Sequence, residues 1–304
     1  MARRRRGLPV DGVLLLDKPQ GMSSNHALQR ARRLLQAQKA GHTGTLDPMA
    51  TGLLPVCLGE ATKFSSHLLE ADKVYRTRVR LGEITATGDA EGEVIERRAV
   101  KSFDDDEIES VLARFRGDIE QVPPMYSALK HRGRPLYQLA REGKTIERAP
   151  RRVTVYDTRL LGRDEAGFEL EVTCSKGTYI RTLAEDIGQA LECGAHITAL
   201  RRLRTGPFAD DAMLTLEALE ARGGQAEREA ALLPADVLVA HLPCFEVDDM
   251  SAGRLLQGQQ ALTDTAGLSE DSPARLYRDG VFLGLVTVIA AGVIAPRRLV
   301  ASTH

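Results

Sequence analysis

Strands and helices mixed along one chain, ending in a small β-rich domain, are what this sequence predicts. Three observations point there. Residues 74–82 (Val-Tyr-Arg-Thr-Arg-Val-Arg-Leu-Gly) alternate in the manner of a half-solvated strand. Residues 24–39 place Leu28, Ala31, Leu34 and Leu35 on one helical face. From about residue 246 the chain turns to short strands around Asp279-Gly280, a dipeptide whose tolerance of positive φ suits a tight hairpin.

The elements follow in order. Gly12–Leu16 is an apolar run closed by Asp17-Lys18-Pro19, a buried strand leading into a turn. Ser23-Ser24 precede the helix, which should run to about Lys39 with Ser24 as N-cap; its other face carries Arg30, Arg32, Arg33 and Lys39. Gly41 to Pro48 is rich in turn residues, and Ala50 to Leu58 becomes apolar. Residues 104–115 predict a helix whose acidic start, Asp104-Asp105-Asp106-Glu107, suits the helix dipole. Gln121-Val122-Pro123-Pro124 breaks the pattern, and a basic segment follows over 125–152, with a short helix around 135–142. Strands at 153–161 and 168–175 flank a turn at Asp164–Gly167. Helices are expected at 181–192 and 213–223. In the β-rich end, 274–278 and 281–289 form the hairpin and 293–300 a further strand, with a boundary near Pro243 to Asp248.

Net charge is −1, but the average conceals segregation. Residues 1–41 carry nine Lys/Arg against two Asp/Glu, and residues 122–160 nine against three. The balance reverses over 80–110 (four against ten) and 210–249 (two against ten). Such a surface offers a polyanion one attractive side, although solvated helix and loop faces would give the same counts. The four cysteines are scattered with no C-x-x-C pair, which argues for buried free thiols rather than a disulfide framework or zinc site. The Arg3 to Arg6 run resembles the start of a signal peptide, but Asp11, Asp17 and Lys18 interrupt the apolar stretch that should follow. A cytoplasmic protein with no membrane span is expected.

Phosphate-binding and hydrolase signatures are missing: there is no G-x-x-x-x-G-K-[ST], no G-x-S-x-G and no G-x-G-x-x-G after a strand. Carboxylates, hydroxyls and cations remain as catalysts. Asp47 stands out in a Gly/Thr-rich loop between a basic helix and an apolar run. Asp-Pro is also how a helix begins, with Asp capping and Pro at the first position, so spacing alone leaves cap and catalyst both open.

The stretch Gly41-His42-Thr43-Gly44-Thr45-Leu46-Asp47-Pro48-Met49-Ala50-Thr51-Gly52-Leu53-Leu54 resembles the catalytic motif of the TruB family of tRNA pseudouridine-55 synthases. Six further blocks resemble that family, in its order. They are Asp17 to Ser24, Asp72 to Tyr75, Pro123 to Lys130 (the start of an RNA-clasping insertion), Cys174 to Leu183, Leu200 to Thr205, and Pro296 to Val300. Arg3 to Arg6 and Ala301 to His304 match none of them.

The resemblance implies an α+β catalytic domain over residues 1–245 with the pseudouridine synthase fold. Its mixed, largely antiparallel sheet would be flanked by helices, with the clasping insertion at about 122–152. A small PUA-like RNA-binding β-barrel would follow over 246–304. The implied reaction isomerises uridine 55 in the T stem-loop of tRNA after the base is flipped from its stack. Asp47 would be the nucleophile, attacking either base C6 or sugar C1′. Arg181 would pair with it, and Tyr75 would stack on the uracil and offer a hydroxyl to take the C5 proton. Tyr179 and Leu200 would wall the pocket, and His42 would fill the space the base leaves. Lys18, Lys63, Lys130 and Arg132 are candidate phosphate contacts, with Arg134, Arg141 and Arg151 beside them. No metal, nucleotide or redox cofactor and no protein partner is implied, and a monomer is expected. Two rivals share the basic segments: an RNA-binding or folding factor without chemistry, and a pseudouridine synthase acting on another RNA.

Overall fold

The computed structural model describes residues 7–265 and 267–300; Arg3 to Arg6 and Ala301 to His304 lie outside them. In chain order the first part contains β1 (Gly12–Lys18), α1 (Ser24–Leu34), β2 (Ala40–His42), β3 (Thr51–Leu58), α2 (Ser65–Leu69), β4 (Lys73–Leu81), β5 (Glu83–Thr85), β6 (Val94–Arg97) and α3 (Asp105–Ala113). Then come β7 (Gly117–Gln121), β8 (Lys130–His131), β9 (Arg134–Pro135), α4 (Leu136–Arg141), β10 (Arg151–Asp164), β11 (Gly167–Cys174), α5 (Ile180–Ala190) and β12 (Ala195–Thr205). Two short helices, α6 (Leu216–Glu220) and α7 (Gln225–Glu229), precede the last unit. That unit holds β13 (Cys244–Glu246), α8 (Asp249–Leu256), β14 (Ala261–Leu262), β15 (Pro273–Arg278), β16 (Val281–Ala290) and β17 (Val293–Leu299). No described helix is long and apolar enough to cross a membrane.

One eight-stranded sheet organises the larger part, in the order β1-β3-β12-β4-β11-β10-β7 with β2 on β3. Every pairing is antiparallel except β3 with β12, which meet over only two residue pairs, Arg201 with Thr51 and Arg202 with Gly52. This narrow seam joins two antiparallel halves. It requires glycine at position 52: φ is +96°, and a Cβ there would stand 2.3 Å from the Arg202 carbonyl oxygen.

Apolar side chains leave β1 and β3 on both faces. Leu14, Leu16, Leu54 and Val56 join a core under α1, α3 and α5, whereas Val13, Leu15, Leu53 and Cys57 join a second core with Phe64, Leu68 and, from β16, Leu285. Burial on both faces explains the unbroken apolar runs in these strands. The PUA-like unit is a five-stranded sheet, β13-β15-β16-β17-β14, around its own core. Phe282 of β16 packs edge-on against Phe64 at 5.3 Å and ties the two units together.

Several sequence expectations change. α1 stops at Leu34 because Gln36 turns left-handed at φ +50°. Its cap is Ser23, whose hydroxyl accepts the His26 N–H, rather than Ser24. No helix starts at Pro48: residues 47–50 make a turn that feeds β3, which removes the capping reading of Asp47. The helix expected at 213–223 shrinks to α6, capped by Thr215. Cys57, Cys174 and Cys193 are buried, but Cys244 is exposed.

Candidate active site

Asp47 lies where the two halves of the sheet meet, and its loop is held from both sides. The Ser24 hydroxyl donates to the Leu46 carbonyl (2.9 Å) and accepts the Leu46 N–H (2.8 Å). The Pro48 carbonyl accepts from the Gly21 N–H (2.7 Å) and the Lys18 ammonium (3.3 Å). The block Asp17 to Ser24 thus grips the residues on either side of Asp47. Ser24→Ala would strand both buried main-chain groups of Leu46, and an unmade buried hydrogen bond costs roughly 1–3 kcal/mol. Thermal unfolding of that variant should show a loss of this size.

Behind the loop, Arg202 is 1% exposed. Its guanidinium donates to the Leu53 carbonyl (2.7 Å) and the Gly44 carbonyl (3.2 Å). Arg201, facing the other way, forms a two-bond pair with Asp17 at 2.9 and 3.0 Å.

Arg181, second residue of α5 and 4% exposed, is the hub. Its guanidinium sits 2.9 Å from one Asp47 oxygen and 3.5 Å from one Asp89 oxygen. It also donates to the Thr87 and Tyr126 carbonyls, both at 2.7 Å. Asp89 is buried, and its other oxygen accepts from the Thr87 hydroxyl (2.6 Å) and the Glu91 N–H (3.0 Å). Two carboxylates therefore share one cation. Burial pushes Asp47 above the ordinary carboxylate range; Arg181 opposes the shift, and Asp89 adds to it. Asp47 keeps about a third of its side-chain surface open, facing the cavity that its loop lines.

That cavity measures about 560 Å³, within the usual range for an organic ligand, roughly 300–1,000 Å³. Asp47, Tyr75, Tyr179, Arg181 and Leu200 all line it, with Lys73, Arg151, Arg152 and Lys176 among its cations. Tyr75 reaches it from β4, Leu200 from the middle of β12 and Tyr179 from the residue before α5. Burial holds the Tyr75 hydroxyl above the ordinary phenol range, despite the Arg202 charge, so it stays protonated.

His42 ends β2 nearby but does not line the cavity. Its Nδ1 is buried without a partner, and burial and Arg202 keep the ring below the usual imidazole range, hence neutral. Two expected phosphate contacts change role. Lys18 is fully buried, with its ammonium on the carbonyls of Pro19, Met22 and Pro48; burial lowers it to about 8 against the pull of Asp47 and Glu91. Lys63 bridges Glu60 and the Leu299 carbonyl of β17. Lys130 and Arg132 are exposed on the β8–β9 hairpin of the insertion, the arrangement a phosphate contact needs. Among the described residues, no group of three His, Cys, Asp or Glu is placed to hold a metal ion.

Sequence reasoning missed Asp89, Arg202 and Glu185. Glu185 sits one helical turn beyond Arg181, and burial pushes its carboxyl up to about 7, with Arg181 opposing. Because the fold favours the protonated form, its stabilising contribution is present at acid pH and lost as pH rises through about 7. The thermal midpoint should therefore fall from about pH 6 to about pH 8, and that fall should shrink in Glu185→Gln.

Comparison with known proteins agrees with this geometry. Residues 32–180 match the N-terminal domain of the TruB family of pseudouridylate synthases. Residues 181–240 match the tRNA pseudouridylate synthase B C-terminal domain, and residues 243–300 match the C-terminal domain of pseudouridine synthase II TruB. The tRNA pseudouridine synthase B of Chromohalobacter salexigens is 70% identical over 299 residues, covering 98% of this chain and 97% of its own. That of Aromatoleum aromaticum is 56% identical over 295 residues, covering 96% and 94%. Among solved structures, a chain in a Cbf5-Nop10-Gar1 complex superposes with a TM-score of 0.71 at 28% identity, covering 96% of this chain and 85% of its own. An aspartate–arginine pair in a nucleotide-sized cavity, the shared architecture and identity along nearly the whole length lead to one assignment: the chain belongs to the TruB family of pseudouridylate synthases.

Proposed function

We propose that this enzyme converts uridine 55 in the T loop of tRNA to pseudouridine, acting as a monomer in the cytoplasm. The observation that carries the reading is the Asp47 carboxylate, held 2.9 Å from Arg181 in a cavity walled by Tyr75, Tyr179 and Leu200. The relatives named as tRNA pseudouridine synthases supply the substrate class. The resemblance of residues 123–130 to the T-arm clasp supplies the position.

The reaction moves one bond. The base leaves its stack and enters the cavity, since no group on the enzyme reaches a stacked base. Asp47 attacks one carbon of the nucleotide, C6 of the base or C1′ of the sugar, and the N1–C1′ bond breaks. The freed uracil turns and C5 bonds to C1′. Asp47 is released, the C5 proton departs, and N1 ends with a hydrogen. Arg181 works against the protonation of Asp47 that burial favours. Tyr75 contributes its ring as a stacking face; its hydroxyl enters protonated, so a second group must take its proton before it can serve as base at C5. His42, neutral and beside the site, fills the gap left in the RNA. Lys130 and Arg132 meet phosphates from the insertion, and residues 246–304 form a second RNA-binding unit. None of these steps calls on a metal, nucleotide or redox cofactor.

Mapping pseudouridine in a tRNA transcript and in an isolated T stem-loop tests the position. Modification at 55 in both is expected. Modification elsewhere would move the reading to another RNA position, and binding with no modified base would favour a folding factor.

A further inference from the structure

We propose that Gln121 is a positioning residue for the isomerisation, fixing the backbone of Tyr179 and with it the cavity wall and the first turn of α5. The proposal rests on the functional reading above. Gln121 is the last residue of β7 and is 2% exposed. Its register partner is Arg151, the first residue of β10, so the insertion leaves and re-enters the sheet through this one pair.

The Gln121 carboxamide does not face the insertion. Its Oε1 accepts the Tyr179 N–H at 3.0 Å, and its Nε2 donates to the Tyr179 carbonyl at 3.3 Å. One planar amide thereby occupies both main-chain groups of one residue, as a neighbouring strand would. Tyr179 is extended (φ −99°, ψ 109°), and no side chain caps α5 there. Its carbonyl also accepts the first helical bond, from Leu183 at 3.0 Å. Gln121 thus pairs the N–H of the residue that opens the helix and shares its carbonyl with the first helical bond, holding the extended residue in place.

Two consequences meet in the cavity. Tyr179 is part of its wall, and Arg181, two residues on, holds Asp47. The same guanidinium binds the Tyr126 carbonyl, inside the insertion. The start of α5 is therefore held twice on this side, by Gln121 at the root of the insertion and by Tyr126 within it. Gln121 touches no reacting atom; it acts through Tyr179.

The test uses the full chain and a tRNA transcript. Gln121→Met keeps the length and loses both bonds; Gln121→Asn keeps an amide drawn back by one methylene. For Gln121→Met we expect kcat to fall about 100-fold, the scale of an ångström-level misplacement, with KM within about twofold. Gln121→Asn should lose at least about tenfold in kcat, and it carries the test should the Met variant fail to fold. In a Tyr179→Leu, Arg181→Lys background the further loss from Gln121→Met should shrink to under about tenfold, because both side chains through which Gln121 reaches the cavity, the wall ring and the α5 guanidinium, are then gone. Equal losses in both backgrounds would overturn the proposal, as would unchanged kcat in a folded variant or a rise in KM alone. A parent that makes no pseudouridine would overturn the functional reading and this proposal with it.

Discussion

Asp47→Ala is expected to lose at least ~10⁴-fold in kcat, the scale seen when a nucleophile is removed, while binding tRNA within a few-fold of the parent. The contrast between the two readouts follows from where Asp47 sits. Its loop is fastened by contacts that do not involve its side chain: Ser24 on Leu46, Gly21 and Lys18 on Pro48, and Arg202 on Gly44. Truncation at Cβ leaves these in place, so the RNA-binding surface keeps its shape. Arg181 still holds Asp89, Thr87 and Tyr126. Filter binding and single-turnover kinetics on one transcript separate the two effects. Loss of binding in step with activity would mean that the carboxylate holds the loop, and the nucleophile role would fall.

Arg181→Lys is expected to lose about 10²–10³-fold in kcat, the cost of removing a preorganised electrostatic contact. Four groups converge on the guanidinium in different directions, and a lysine ammonium, compact on a flexible stem, does not replace a planar fork. Arg181→Met should cost stability as well, about 3–5 kcal/mol, because Asp89 would stay buried without its cation. The pH profile gives a separate signature. The proposed attack needs Asp47 ionised, and burial raises its carboxyl, so parent activity is expected to fall as pH drops through that raised value. Without Arg181 the carboxyl rises further, and the acid limb of the Arg181→Met profile should move to higher pH. An unmoved limb would show that Arg181 does not set the charge of Asp47.

Elements with local causes were legible in the sequence. β4 alternates, Asp164 closes its turn by accepting the Ala166 N–H, and Asp279-Gly280 takes positive φ at both residues (+51° and +73°). α3 begins with a capping box between Asp104 and Glu107, as its acidic start suggested. β12 was not legible, although it is central and carries Leu200. Arg201, Arg202 and Arg204 break its apolar alternation, and the burial of Arg202 depends on carbonyls about 150 residues away. Ser24 shows the same limit: capping rules favour it by position, but a distant loop claims its hydroxyl. Asp89 and Gln121 are single polar residues without a pattern, defined by partners at the start of α5, Arg181 and the preceding Tyr179. Asp47, Tyr75, Arg181, Tyr179 and Leu200 were named through the family resemblance. The fold brings all five to one cavity, which spacing along the chain does not imply.

The most direct measurement of the central claim is release of tritium from a tRNA transcript labelled at C5 of uridine. The parent and Asp47→Ala would be assayed side by side, without added metal or nucleotide. Isomerisation at C5 through Asp47 predicts release by the parent, reaching one equivalent per tRNA, and none above background by the variant. Tight, salt-sensitive binding by the parent with no released tritium would contradict it.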